Sequence, residues 1–162
     1  MSSVFESNDA SFGKQHIFNG DSASCWSSDG VQGHVGPSEP TQWVLAKLSR
    51  PIVLKKFSVT FQGGYAAHRV AVSGGRPFEG TGKLVLSPLG VFSANDSNSA
   101  QEFTLQSSPH VADSAGQVST VAAADDQGVA QGVTVLKFVF SQFGNPFGNI
   151  TLYDISIYGD EK

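Results

Sequence analysis

The sequence predicts an all-β protein, a jelly-roll sandwich of two antiparallel sheets. Three observations predict it. Apolar residues alternate with polar ones in short segments, as in strands with one buried face. Eighteen Gly and seven Pro residues punctuate the chain, which is typical of sandwiches and jelly rolls. No window keeps a helical apolar stripe for three turns, and charged residues make up only 15% of the chain.

Two strands are predicted close together in the first half of the chain, Gln42 to Leu48 and Val53 to Phe61. In the second of these, Phe57, Val59 and Phe61 recur at every other position, so we expect them to face a core. Shorter strands are predicted at Arg69 to Val72, Lys83 to Leu86 and Glu102 to Leu105.

Two further strands are predicted near the end of the chain. Val133 to Phe140 is apolar apart from Thr134 and Lys137, which predicts a central strand buried on both sides. The last strand is expected over Ile150 to Tyr158. Strict alternation there assigns one face to Ile150, Leu152 and Tyr158, and the other to Tyr153, Ile155 and Ile157.

The chain of 162 residues is expected to form one domain over residues 1–162. Gly30 to Pro40 is predicted to be a loop because it holds three Gly and two Pro. Residues 107–131 are rich in Ala, Ser, Asp, Gln and Gly, with no apolar residue larger than Val. We expect that segment to be a mobile surface insertion, since it buries little area.

Charge and cysteine content exclude several classes of function. The net charge is −4 and no run of Lys or Arg occurs, so neither nucleic acid nor an anionic membrane is an expected partner. Cys25 is the one cysteine, and residues 1–9 show no basic and apolar leader. We therefore expect a cytoplasmic or nuclear protein, not a secreted one, and its weak charge is compatible with a monomer.

The sequence offers no catalytic constellation. The histidines, at positions 16, 34, 68 and 110, lack metal-ligand spacing. The glycine-rich stretches at 73–75 and 80–83 do not complete a phosphate-binding loop. No nucleophile, base and orienting group can be assembled from neighbouring motifs, so we expect a protein that is not an enzyme and requires no cofactor.

Several short motifs follow one another in a distinctive order. They are Phe12-Gly13-Lys14-Gln15-His16, Asn19-Gly20-Asp21, Cys25-Trp26-Ser27, Gln42-Trp43-Val44, Phe61-Gln62-Gly63-Gly64-Tyr65 and Asp96-Ser97-Asn98. This ordered set resembles the discoidin, or F5/8 type C, family of galactose-binding-like domains. The closer match is to its small intracellular nuclear-receptor-associated members, and a more distant one is to the intraflagellar transport discoidin subunit. The resemblance extends from about Phe12 to Gly159.

The resemblance implies a jelly-roll fold and a binding function. Its intracellular branch implies a protein-interaction or regulatory subunit of the transcription-coregulator kind, with another protein as the partner. The alternative is a carbohydrate-binding module that uses the loops at the end of the sandwich and is stabilised by calcium. One fold hosts many partners, so both alternatives stay open.

A candidate metal site begins at the turn Asn19-Gly20-Asp21. Gly20 permits a positive φ, and oxygens of Asp21 and Ser24 could then surround a hard cation such as calcium. The resemblance implies a structural calcium in this loop, assisted by an acidic residue on the last strand, where Asp154 stands. Asn19 replaces the first acidic residue of the family pattern and removes a charge. The alternative is that Asn19 and Asp21 only cap a tight turn.

Candidate ligand-binding residues follow from the same loops. Trp26 could stack on a sugar ring or could pack in the core. Tyr65, His68 and Arg69 follow two glycines and suit recognition of a protein or a sugar, although they could also cover the sandwich end. Phe147 is either an exposed anchor or a cap on the core.

Overall fold

The structure is a computed structural model that describes residues 13–21, 23–31, 39–105 and 132–162. The expected insertion at 107–131 lies outside these residues. A short 3₁₀ helix at Lys14–His16 precedes the strands. They are β1 (Trp26–Ser27), β2 (Gln42–Phe61), β3 (Ala67–Pro77), β4 (Leu84–Ser93), β5 (Gln101–Thr104), β6 (Val133–Phe143) and β7 (Thr151–Glu161). Every strand pairing is antiparallel, so the predicted all-β fold class is confirmed.

The long strand β2 connects the two parts of the fold. The strand order is β1-β7-β2-β6-β3-β4, and β5 also pairs with β2. The first half of β2, from Gln42 to Lys47, pairs with β6. Its second half pairs with β7 along one edge and with β5 along the other. Sheet β2-β6-β3-β4 and sheet β1-β7-β2-β5 therefore share β2.

Strand β2 folds back so that these two sheets become two layers. Val44 is the register partner of Phe138 on β6, and a straight strand would carry Phe57 about 43 Å beyond Val44. The rings of Phe57 and Phe138 are nevertheless 5.4 Å apart. The bend lies where the register is irregular, between Lys47 and Ile52. The two strands predicted over Gln42 to Leu48 and Val53 to Phe61 are thus a single strand, β2, with a bend between them.

Aromatic rings fill the space between the layers. Phe57 lies 5.0 Å from Phe92, 5.1 Å from Phe103 and 5.4 Å from Phe138, measured between ring centroids. Phe61 packs edge-on against Phe140 at 5.9 Å. Each fully buried Phe side chain stabilises the fold by about 1.5–3 kcal/mol relative to exposure. The predicted inward positions of β2 are confirmed, since Phe57, Val59 and Phe61 are fully buried.

Strand β6 is buried on both sides, as the sequence predicts. Its adjacent residues Val135 and Leu136 point to opposite faces of the strand, and both are buried. Apolar character without alternation correctly indicated this central position.

The alternation predicted for the last strand is wrong at one point. Leu152 and Ile155 were expected on opposite faces, but both are buried in the core. The register with β2 shifts between the pairs Thr60↔Asp154 and Phe61↔Leu152. Tyr153 is therefore the extra residue of a bulge, which turns both apolar side chains inward.

Among the residues that the structure describes, no helix is long and apolar enough to cross a membrane.

Candidate functional site

Three loops meet at one end of the sandwich. They join β2 to β3 (62–66), β4 to β5 (94–100) and β6 to β7 (144–150). Because neighbouring antiparallel strands reverse direction, these connections lie at the same end of the two layers. We call the exposed side chains at this end the end-loop surface, which comprises Tyr65, His68, Arg69 and Phe147.

The turn between β2 and β3 is held by the loop that follows β4. The Gly63 N–H donates to Oδ1 of Asn98 at 2.7 Å, and the Gly64 N–H donates to Oδ1 of Asp96 at 2.7 Å. Gly64 has a φ of 85°, which a residue with a side chain adopts only with strain. The two side chains thus fix an unusual turn whose next residue is Tyr65.

The loop between β6 and β7 is bound to the same turn. The Gly144 N–H donates to Ala66 O at 3.0 Å, and the Thr151 N–H donates to Tyr65 O at 3.1 Å. Both backbone groups of Phe147 are hydrogen-bonded. Its N–H donates to Oδ1 of Asn145, and its carbonyl accepts from the Val31 N–H. Tyr65 and Phe147 therefore stand on cross-linked backbone.

The end-loop surface is open to solvent. Tyr65 is 37% exposed and Phe147 is 50% exposed, while His68 and Arg69 are also exposed. Arg69 lies between Ser93 on β4 and Ser141 on β6, and it forms no ion pair with any residue in the described ranges. The structure brings these four predicted ligand-binding residues to one end.

Polar atoms of Asp96 and His68 lie close to Gly144, beside these residues. A Cβ atom at Gly144 would lie 3.4 Å from Oδ2 of Asp96 and 3.5 Å from Nε2 of His68. Nδ1 of His68 is 3.3 Å from Ala94 O, and since a carbonyl oxygen only accepts, Nδ1 carries the proton in this contact. Nε2 of His68 and Oδ2 of Asp96 both lie beside Gly144.

Trp26 is not part of this surface. It has no exposed area and pairs with Leu152 on β7, so its ring presents no stacking face to a sugar. Its inclusion among the ligand-binding residues is wrong, and the alternative of a core tryptophan is the correct one. Cys25 beside it is partly buried, and burial raises the pKa of its thiol, which favours the neutral thiol over the thiolate.

The turn at Asn19 is held by its own side chains. Nδ2 of Asn19 donates to Oγ of Ser24 at 2.8 Å, while Oδ1 of Asn19 accepts from the Asp21 N–H at 3.0 Å. Oδ1 of Asp21 accepts from the Ala23 N–H at 2.9 Å, and Gly20 has a φ of 68°. These are the contacts of a capped turn, and they hold Oδ1 of Asn19 and Oδ1 of Asp21 within the turn.

Asp154 does not join that turn. Its Oδ2 accepts from Oγ of Ser156 at 2.5 Å, and no hydrogen bond among the described residues links it to Asn19, Asp21 or Ser24. Within the same ranges, no three His, Cys, Asp or Glu side chains converge as a metal-binding group. The oxygens present fit the turn better than a calcium shell.

Sequence reasoning missed Asp96 and Asn98 as site residues. Their motif was quoted only as part of the resemblance, although Asp and Asn readily accept from backbone N–H groups. The glycine pair Gly63 and Gly64 indicated a turn with unusual backbone geometry. The pairing itself links residues more than thirty positions apart, which no local pattern reveals.

Comparison with known proteins gives full-length relatives. No family model matches the chain. It is 27% identical over 161 residues to the Nuclear receptor 2C2-associated protein of Mus musculus, covering 99% of this chain and 89% of that protein. The protein of the same name from Xenopus tropicalis is 28% identical over 159 residues, with 98% and 90% covered.

Solved structures share the fold. An F5/8 type C domain from Bacteroides fragilis superposes with a TM-score of 0.66 at 19% identity, covering 99% of this chain and 89% of that one. A chitosan-binding module from Paenibacillus superposes with a TM-score of 0.62 at 15% identity, covering 98% and 91%. The chain is therefore a full-length relative of the Nuclear receptor 2C2-associated proteins, built on the discoidin-like F5/8 type C fold.

Proposed function

We propose that this protein is a non-catalytic binding module of the cytoplasm or nucleus, and that its end-loop surface binds another protein. One observation carries the proposal. Tyr65 and Phe147 are exposed, yet their loops are cross-linked by backbone hydrogen bonds. Exposed aromatic side chains on ordered backbone lose little conformational entropy on binding, so their burial is available for affinity.

The chemistry of the surface favours a protein partner. Tyr and Arg are enriched among residues that dominate binding energy at protein interfaces, and Tyr65 and Arg69 are both exposed here. The relatives are named for association with nuclear receptor 2C2, which supports a role of the coregulator kind for this chain. We propose that it acts as a monomeric accessory subunit.

The proposed function requires no cofactor and no reaction. The side chains at this end that could take part in catalysis form structural hydrogen bonds. His68 bonds Ala94 O, and Asp96 accepts from the Gly64 N–H. We propose that the turn at Asn19 is stabilised by its own hydrogen bonds, with a structural calcium ion as the alternative.

The test is direct binding of recombinant nuclear receptor 2C2 by isothermal titration calorimetry. The double variant Tyr65→Ala with Arg69→Ala is expected to weaken binding at least about 100-fold, because two central interface residues are removed. The matched control is Tyr158→Ala with Lys47→Ala, which removes an exposed aromatic and an exposed cation outside the end-loop surface. Equal affinities of the two double variants would refute this assignment.

Carbohydrate binding is the second candidate, favoured by the polar atoms that lie beside Gly144. Nε2 of His68 and Oδ2 of Asp96 lie there, and Tyr65 lies in the adjoining turn. Since a sugar hydroxyl donates one hydrogen bond, separate hydroxyls of a sugar would bond the two groups. A glycan array tests this candidate, with Gly144→Ala as the diagnostic variant. Its methyl group would make ordinary contacts at 3.4–3.6 Å, so it should cover these polar atoms without unfolding the protein.

A further inference from the structure

The β3–β4 hairpin projects at the opposite end of the sandwich. The Phe78 N–H donates to Lys83 O at 2.9 Å, and the Gly82 N–H donates to Phe78 O at 2.9 Å. Gly80 and Gly82 have φ values of 87° and 65°, which a tight connection tolerates best with glycine. The tip is therefore a defined turn closed by its own backbone.

One face of this hairpin combines two apolar and two cationic side chains. Arg76 is the register partner of Val85, and Phe78 faces Lys83 across the closing hydrogen bonds. Opposed residues and residues two apart share a face of an antiparallel pair. Arg76, Phe78, Lys83 and Val85 thus lie together, and we call them the hairpin face.

The apolar members of the hairpin face are unusually open to solvent. Phe78 is 59% exposed and Val85 is 49% exposed. Both exceed the exposure of Tyr65, which belongs to the end-loop surface. Neither packs against the aromatic cluster between the layers. Their burial would stabilise a complex without disturbing the core.

The hairpin face is positive within a protein of net charge −4. Between positions 76 and 85 the charged residues are Arg76, Lys83 and Glu79. Lys83 forms no ion pair with any residue in the described part of the chain. Nε of Arg76 donates to Gly132 O at 2.8 Å, which fixes the position of its guanidinium. Two cations are thus presented between apolar side chains.

We propose that the hairpin face is a second interaction surface, and that it binds an extended acidic segment of a partner protein in which an Asp or Glu and a large apolar residue occur two positions apart. Charge complementarity selects this occupant. Alternate residues of an extended peptide point the same way, and its acidic side chains would meet Arg76 and Lys83. Its apolar side chains would cover Phe78 and Val85. Such a partner is a different ligand from the one at the end-loop surface.

The test uses a fluorescein-labelled synthetic peptide in which acidic and apolar residues lie two positions apart, four repeats of Asp-Ser-Phe-Ser, in an anisotropy titration. A control peptide carries Lys at every acidic position. The native protein is expected to bind the acidic peptide and to ignore the basic one. Affinity should fall at least about tenfold between 50 and 500 mM salt, because exposed charge pairs are screened.

Two variants locate the peptide on the protein. Phe78→Ser is expected to weaken binding at least about tenfold through lost apolar contact, and Lys83→Glu to weaken it by a similar factor and to reduce the salt dependence. Tyr65→Ala with Arg69→Ala should bind the peptide as the native protein does, so this proposal and the proposed function can fail separately. Absence of peptide binding, or unchanged affinity in the Phe78→Ser, Lys83→Glu double variant, would overturn the proposal. Binding of phosphatidylserine vesicles in place of the peptide would overturn it as well.

Discussion

The two ends of the sandwich present exposed aromatic residues in different ways. At the end-loop surface, the turn that carries Tyr65 is held by Asp96, Asn98 and Thr151, which are distant in the chain. At the hairpin face, Phe78 is held by the backbone of its own hairpin. The binding proposed at the first end would therefore depend on tertiary contacts. The binding proposed at the second would depend on a local unit, so the two ends should respond differently to mutation.

The largest effect is expected from the core that supports both ends. Phe57→Ala removes a fully buried ring that contacts Phe92, Phe103 and Phe138. We expect it to lower the free energy of unfolding by about 3–5 kcal/mol, through lost burial and the cavity left behind. Urea denaturation measures the change, and Phe57→Leu is the control that fills part of the cavity. A loss below about 1 kcal/mol would mean that the layers do not pack as described.

The next effect separates the two ends. Asp96→Ala deprives the Gly64 N–H of its acceptor, and we expect it to cost about 1 kcal/mol of stability because water can partly replace the carboxylate. Partner binding at the end-loop surface should weaken at least about tenfold, since Tyr65 loses its fixed position. Affinity of the hairpin face for the acidic peptide should stay unchanged. Asp96→Asn, which keeps an acceptor oxygen, is the matched control.

A loss of peptide binding in Asp96→Ala would show that the two ends are coupled. The comparison between a tertiary site and a local one would then be wrong. Retention of partner binding in the same variant would show that the turn keeps its shape without Asp96.

A smaller effect is expected when an exposed anchor is removed. Phe78→Ser should change the free energy of unfolding by no more than about 0.5 kcal/mol, because the side chain is mostly exposed and contacts no core residue. Thermal unfolding followed by circular dichroism checks this. A loss of several degrees in Tm would mean that Phe78 packs against the protein and is not free to bind.

The smallest effect is expected from calcium. The side chains of Asn19 and Asp21 already bond within their turn, so calcium at about 2 mM should leave Tm within about 1 °C of its value in chelator. A ligand present at about 100 times its Kd would stabilise the fold by about 2.7 kcal/mol, which is readily measured. A clear upward shift in calcium, lost in Asp21→Ala, would restore the metal site.

The sequence alone predicted the burial of a residue correctly where that burial follows from the pattern of its neighbours in the chain. Alternation correctly placed Phe57, Val59 and Phe61 in the core, and unbroken apolar character correctly placed β6 in the interior. The sequence pattern did not reveal that β2 folds back near Pro51, or that Tyr153 forms a bulge. Both depend on register between strands, which local periodicity does not encode.

The sequence indicated several exposed residues that share one end of the sandwich, but not the contacts that hold them there. Gly63 and Gly64 marked the turn, and Tyr65, His68, Arg69 and Phe147 all lie at the same end. The roles of Asp96 and Asn98 depend on contacts across the fold. Trp26 was ambiguous because its ring suits both a core and a sugar, and only its complete burial on β1, beside β7, decides between them.

Hydrogen–deuterium exchange with and without recombinant nuclear receptor 2C2 tests the central claim most directly. The account predicts slower exchange at residues 62–69 and 144–149 in the complex, with residues 76–85 unchanged. Protection confined to residues 76–85, or to the outer face of either sheet, would contradict the assignment of the end-loop surface as the site that binds the partner protein.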